Sequence, residues 1–525
     1  AVGHQALQDY EDGDGNGHNT AVGNRSQLNA TTGEFNTSVG SLSMGAGVTT
    51  GDNNVVVGYT AGQDLTSGAS NVLLGKGAGT ALTTGSYNIA IGQSALGSED
   101  GHGRNVAIGY AALNQLNAGA DGHNVAIGME SGKLMSTGTN NVLIGGEAGD
   151  ALTTGFGNIA IGRLALSTED TGNRNTAIGH NALSLLNYAG DGYNTAVGYV
   201  AGASITTGIQ NTLLGGLAGD ALTTGSNNIA IGVLALSAED TGGKSIAVGM
   251  QALAAQNYDG DAYNVAVGHQ AGLAVTTGIN NTLVGSLAGD ALTTGANNVA
   301  LGYGALSTED AHGRNVAIGY AALETQNAGA DAYNTAVGTQ AGTAVTTGVQ
   351  NTLIGGLAGD ALTTGSYNIA LGYGALSAED AHGRNVAIGY NSLTTLNAGA
   401  DAYNVAIGME SGTAMTTAQQ CTLIGGFAGH DLTTGHYNIA IGYNALATED
   451  SGKGNVAIGR EALKVQDSGA DAYNVCVGYQ TGLAVSTGLQ NTILGGKAGD
   501  ALTTGDNNII IGYAAAASAV GVDNE

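Results

Sequence analysis

Six times, at intervals of 70 residues, the chain sets a glutamate before an aspartate, at 99–100, 169–170, 239–240, 309–310, 379–380 and 449–450. Paired carboxylates are what general acid–base catalysis uses. A basic residue follows each pair within a few positions: Arg104, Arg174, Lys244, Arg314, Arg384 and Lys453. Active sites are not normally tiled along a chain, so a local ion pair across the turn is the simpler expectation. A second set of acids, Asp121, Asp191, Asp261, Asp331, Asp401 and Asp471, stands singly, and these read as solvated turn residues. Near the start, Asp12-Gly13-Asp14-Gly15-Asn16-Gly17 matches the first half of a calcium loop, with oxygen ligands at alternate residues and a glycine for the sharp turn. Gly23 stands where such a loop needs its bidentate acid. An acidic turn is therefore the simpler reading, and calcium held by Asp12, Asp14 and Asn16 the alternative.

Other chemistry is sparse. The ten histidines show no HExxH or paired-ligand spacing, and no nucleophile elbow, Walker loop or CxxC is present. The Gly-x-Gly matches are read as turns, since no helical pattern follows them. An enzyme is not expected. Cys421 and Cys476 lie far apart on different positions of the repeat described below, so a bridge is not expected. Tyrosine recurs in two places, after a glycine (Tyr59, Tyr110, Tyr199, Tyr320, Tyr390, Tyr443) or before an asparagine (Tyr87, Tyr193, Tyr263, Tyr333, Tyr403, Tyr473). Packing at corners is the simpler reading, and stacking on a glycan the functional one. Thr-Thr-Gly turns, as at Thr153, Thr223 and Thr293, raise ice binding, although the threonine pairs skip alternate pairs of units. Sequons begin at Asn24, Asn29 and Asn36.

All these residues hang on one repeat. The pentad Asn-x-Ala-(Ile/Val/Leu)-Gly, in some form, starts at 54, 71, 88, 105, 124, 141, 158 and 175, in steps of 17, 17, 17 and 19 residues. Four units make a 70-residue super-repeat, so Asn54, Asn124, Asn194, Asn264, Asn334, Asn404 and Asn474 are equivalent. A short fixed period is the signature of a stacked, one-dimensional fold. In Asn88 to Arg104, Ile89 and Ile91 alternate with Ala90 and Gly92, which is strand periodicity. Ser94-Ala95-Leu96 reads as a second short extended piece, followed by a polar turn. One unit is then one coil of a parallel β-solenoid, an all-β fold of about 30 coils. At the strand spacing of about 4.8 Å these would make a rod of roughly 140 Å. The leading asparagines, Asn88 among them, are expected to stack into a ladder.

The Ile/Val/Leu face is expected to fill the coil, leaving the Ala/Gly face flat and outermost. A smooth apolar stripe along a soluble rod implies association with other copies, most simply about a threefold axis. In the second coil of each super-repeat leucine replaces the central alanine (Leu143, Leu213, Leu283, Leu353, Leu423), usually with Gly-Gly next, which reads as a large-for-small exchange. The fourth coil carries two extra turn residues, as at 117–121, 327–331 and 397–401.

Composition narrows the classes further. Glycine is 92 of 525 residues and proline zero, which excludes collagen and suits uninterrupted backbone ladders. A net charge of −28 supplies no phosphate-neutralising face, so nucleic acid is not an expected partner. No run of apolar residues reaches the length of a membrane span.

The segments NVAIGYAAL (105–113), NTAVGYVAG (194–202) and NVAIGYNSL (385–393), with their LTTG turns, resemble the repeats of phage and prophage tail-fibre shafts. They are also similar to the head repeats of trimeric autotransporter adhesins, whose coils are shorter. The resemblance implies a trimeric, left-handed parallel β-roll working outside the cell, on the cell surface or on a virion. Residues 1–53 read as irregular first coils, 54–515 as the regular array and 516–525 as a tail or joint. Ala1-Val2-Gly3 and Asn524-Glu525 together spell a pentad, Asn-Glu-Ala-Val-Gly, so copies are expected to be able to stack head to tail. The expected function is a non-enzymatic structural or adhesive fibre. The alternatives are a self-assembling filament subunit and a glycan- or ice-binding solenoid.

Overall fold

Three residues between an asparagine and a glycine are enough for one short strand, and the chain makes that strand in every repeat. The computed structural model describes residues 1–10 and 17–516. They fall into two units, Ala1–Tyr263 and Asn264–Glu525. The first holds fourteen strands, β1 (Thr20–Val22) to β14 (Ile246–Val248), and the second fifteen, β15 (Val265–Val267) to β29 (Ile509–Ile511). Within each unit every strand pairs in parallel with the next in sequence, in register, as in Ile229↔Ile246, Ala230↔Ala247 and Ile231↔Val248. Val2 extends the first ladder by a single bridge to Val22. Consecutive parallel strands joined by turns alone define a parallel β-solenoid with one strand per coil. Among the described residues there is no α-helix, and no helix long and apolar enough to cross a membrane.

The faces are the reverse of the sequence-based expectation. The central strand residue points inward, and Ala90, Ala107, Leu143 and Ala230 are all 0 % exposed. The flanking Ile, Val and Thr point outward and are half-buried or exposed. The asparagine decides this. Side chains alternate along a strand, so a buried Asn88 shares its face with Ala90, not with Ile89 or Ile91. Leucines from the turn, such as Leu96, Leu113 and Leu166, complete the interior.

Ser94-Ala95-Leu96 is not a second strand. It is a tight arc in which Ser94 and Leu96 take φ of 57° and 52°, and equivalent left-handed residues recur in each coil. The volume exchange around Leu143 is real but sits elsewhere than its Gly-Gly neighbour. A Cβ added at Gly132 or Gly149 would stand 2.7 or 2.9 Å from a Leu143 methyl, whereas one at Gly146 would meet nothing within 4 Å. The coils that carry glycine at the turn position thus make the room that the larger strand residue fills.

The asparagines are bonded along the stack. Asn88 donates its backbone N–H to Asn71 Oδ1 at 2.9 Å, and its Nδ2 to the carbonyl of His102 at 3.2 Å. At Asn124, Asn194, Asn264, Asn334, Asn404 and Asn474, Nδ2 donates to the carbonyl 14 residues on, at 2.7–2.9 Å. Each side chain therefore replaces water for a buried donor in one coil and a buried acceptor in another. Cys421 occupies an asparagine place, with its N–H on Asn404 Oδ1 and its Sγ 3.4 Å from the Gly435 carbonyl. Cys421 and Cys476 are both buried and unbridged. Burial pushes the Cys421 thiol up to about 11.

Candidate functional site

The strand and arc of the third coil bring its glutamate back under the stack. Glu99 is fully buried. Its Oε1 accepts the His102 N–H at 3.0 Å, and its Oε2 accepts the Ala118 N–H of the next coil's long loop at 3.2 Å. Glu379 does the same with His382 and Ala398, and Glu169 with Gly172 and Tyr188. One carboxylate thus clamps two successive turns. Burial pushes Glu99, Glu169 and Glu379 above the ordinary carboxylate range, although these backbone bonds pull the other way.

The basic residues do not pair with the Glu-Asp doublets. They reach one coil onward, to the acids expected to be solvated. Arg104 meets Asp121 at 3.2 Å, Lys244 meets Asp261 at 2.7 Å, Arg314 meets Asp331 at 3.0 Å and Arg384 meets Asp401 at 3.2 Å. Arg174 pairs with Asp191, and Lys453 with Asp471 at 3.4 Å. Stacking governs the choice, since residues a full coil apart lie side by side. The tyrosine before the asparagine joins the same group, with Arg314 5.3 Å from the Tyr333 ring and Arg384 5.4 Å from that of Tyr403.

The outward strand residues form two columns in each unit, the third strand position all Val, Leu or Ile and the first a mixture of Ile, Val and Thr. Val55, Ile159, Leu301, Ile369, Leu371 and Ile424 are 36–43 % exposed. The tyrosines after the glycine border these columns, and Tyr303 stacks on Tyr320 and Tyr373 on Tyr390, with ring centroids 5.7 and 5.9 Å apart. The hydroxyl of the first threonine in these Thr-Thr-Gly turns is engaged with a backbone carbonyl. Thr153, Thr223 and Thr293 donate to Asp170, Asp240 and Asp310 at 2.8–3.0 Å. Of the sequons, Asn24 is exposed, whereas Asn36 is buried in the asparagine ladder.

Among the candidates, Asp12, Asp14 and Asn16 lie outside the described residues, as do Asn524 and Glu525. Ala1 is exposed. Val2 donates to the Ala21 carbonyl and accepts from the Gly23 N–H, at 2.8 Å each, and Gly3 follows it into the first turn. Sequence reasoning passed over one grouping. Glu99, Asp100 and His102 each offer a ligand atom within 4.8 Å of the others, and so do Glu309, Asp310 and His312, and Glu379, Asp380 and His382. The signal was legible as Glu-Asp-x-His-Gly-Arg, three times. No protein-family model matches the chain, and no curated protein matches it.

Proposed function

We propose that this chain is a non-enzymatic structural fibre protein, working outside the cell, whose copies pack side by side through the aliphatic face of the solenoid. The observation that carries this reading is the outward, half-exposed aliphatic column of the third strand position, with tyrosines on its border and an Ile/Val/Thr column beside it. Parallel sheets are ordinarily covered on both faces, and soluble monomers seldom leave a long apolar stripe bare. A second copy is the occupant whose pattern repeats with the same 17/17/17/19 period, so that its columns match coil for coil. The net charge of −28 argues against a nucleic-acid occupant. Three copies is the number that the resemblance to adhesin and tail-fibre repeats implies.

The test is sedimentation equilibrium of the chain and of a variant carrying lysine at Ile159, Ile161, Ile229 and Ile231, which all lie on the outer face. A trimeric parent and a monomeric variant with unchanged far-UV circular dichroism are expected. A parent that is monomeric at micromolar concentration overturns the reading.

A further inference from the structure

The clamp turn exists in two forms. At 99–102, 309–312 and 379–382 a histidine stands three residues after the glutamate, and at 169, 239 and 449 a glycine takes that place. The long loop of the next coil changes with it. It reads Asn-Ala-Gly-Ala-Asp opposite each histidine, and carries Tyr188, Tyr258 or Asp467-Ser468 opposite each glycine. In the glycine form the turn closes on itself, with Gly172, Gly242 and Gly452 each donating N–H to the glutamate at 2.7 Å. In the histidine form that bond is 3.0–3.1 Å, and the imidazole lies over the carboxylate.

The imidazole turns its Nδ1 towards the glutamate carboxylate. Nδ1 of His102, His312 and His382 lies 3.6, 3.4 and 3.4 Å from the glutamate Oε1. All three nitrogens are shielded from solvent, and beyond this contact with the glutamate none has a hydrogen-bond partner. Glu309, like Glu99 and Glu379, is fully buried. Two ligands held at about 2.0–2.1 Å from one tetrahedral ion stand roughly 3.4 Å apart. The adjacent aspartate supplies a third oxygen in the same group.

We propose that these three turns bind a divalent transition metal of the zinc class, through the glutamate carboxylate, the aspartate carboxylate and histidine Nδ1. Water fills the outer position, since each histidine is a quarter to a third exposed. An imidazole with two carboxylates suits zinc, nickel or copper better than calcium or magnesium, which prefer oxygen alone. The backbone N–H groups that already hold the glutamate fix its orientation, as outer partners of metal ligands ordinarily do. The ion would pin one turn and, through the same glutamate, the loop of the next coil. The acidic group Glu449, Asp450 and Asp467 has no imidazole and is not assigned a metal.

The experiment uses the full chain stripped with chelator, titrated with zinc by calorimetry and assayed for retained metal after desalting. The parent is expected to hold three zinc ions per chain at micromolar metal, and the H102N/H312N/H382N variant none. Cobalt in place of zinc gives a visible ligand-field spectrum that the same variant abolishes. A second variant, D100N/D310N/D380N, leaves the imidazoles in place and is expected to weaken binding at least tenfold. Failure of the parent to retain zinc, or equal retention by parent and both variants, overturns the proposal.

Discussion

Replacing Asn211 by alanine tests the principle that holds the coils together. Asn211 is fully buried. Its Oδ1 accepts the Asn228 N–H at 3.0 Å, and its Nδ2 donates to the Gly225 carbonyl at 2.9 Å and to Asn194 Oδ1 at 3.2 Å. Truncation leaves the Asn228 N–H and the Gly225 carbonyl without partners in a dry interior. At about 1–3 kcal/mol for each orphaned group, the expected loss is about 2–6 kcal/mol. Stacked repeats open locally, so the loss should appear in the coils that touch position 211 rather than in one global transition. Hydrogen exchange read by mass spectrometry is the assay. Protection across residues 194–228 should fall by roughly 30- to 25,000-fold, while distant coils keep theirs. Asn211→Asp sharpens the test. The carboxylate still accepts from Asn228, but it sets a second oxygen against the Gly225 carbonyl, so it should be worse than alanine at neutral pH and recover on acidification as the buried acid protonates. Unchanged protection near position 211, or a loss spread evenly over the chain, would refute the reasoning.

Two further outcomes follow from the same packing. Gly215 has φ of +142°, and a Cβ there would stand 2.5 Å from the Gly232 carbonyl oxygen, whereas Gly216 faces nothing within 4 Å. Gly215→Ala should therefore cost about 2–4 kcal/mol and Gly216→Ala less than about 0.5, measured by denaturant midpoints; equal effects would show that the glycine column is not close-packed. Burial raises Glu169, Asp150, Asp220, Asp290 and Asp360 above their ordinary values of 4.5 and 3.8. The native chain thus binds protons at higher pH than the unfolded one, and stability rises as pH falls from the raised values towards the ordinary ones, then levels off. The apparent Tm in chelator should be higher at pH 4, near the ordinary values, than at pH 7, and a lower one would contradict this sign.

The period announced the solenoid because stacking forces one repeat per coil, and that regularity survives any uncertainty about turns. The inner face was equally open to reading. Asn211 and Leu213 have the same parity, so a buried asparagine commits the small central residue to the interior and sends its bulky neighbours out. Size alone misled, because the bulky part of the core comes from turn residues such as Leu96 and Leu113 and from Leu143 and Leu213, while the strand's flanking Ile and Val face out. The ion pairs were misread for a related reason. Arg174 and Asp191 are distant along the chain and adjacent in the stack, so partners had to be sought one coil away. The left-handed arc was less legible, since Ser94 and Leu96 are not residues that ordinarily flag positive φ. The histidine turns were written plainly, yet each looks isolated until the fold places Glu99 beneath His102.

Because the inter-coil hydrogen bonds point along the stacking direction, they meet tension applied in that direction one row at a time, not all together in shear. Under load each unit should peel coil by coil, and each released 17-residue coil frees roughly 60 Å of slack. Every coil that remains is a template for the one that was lost, so extension can be repaired by rewinding. A fibre made this way resists by yielding in small reversible steps, and a metal-pinned turn would set the places where the peeling pauses.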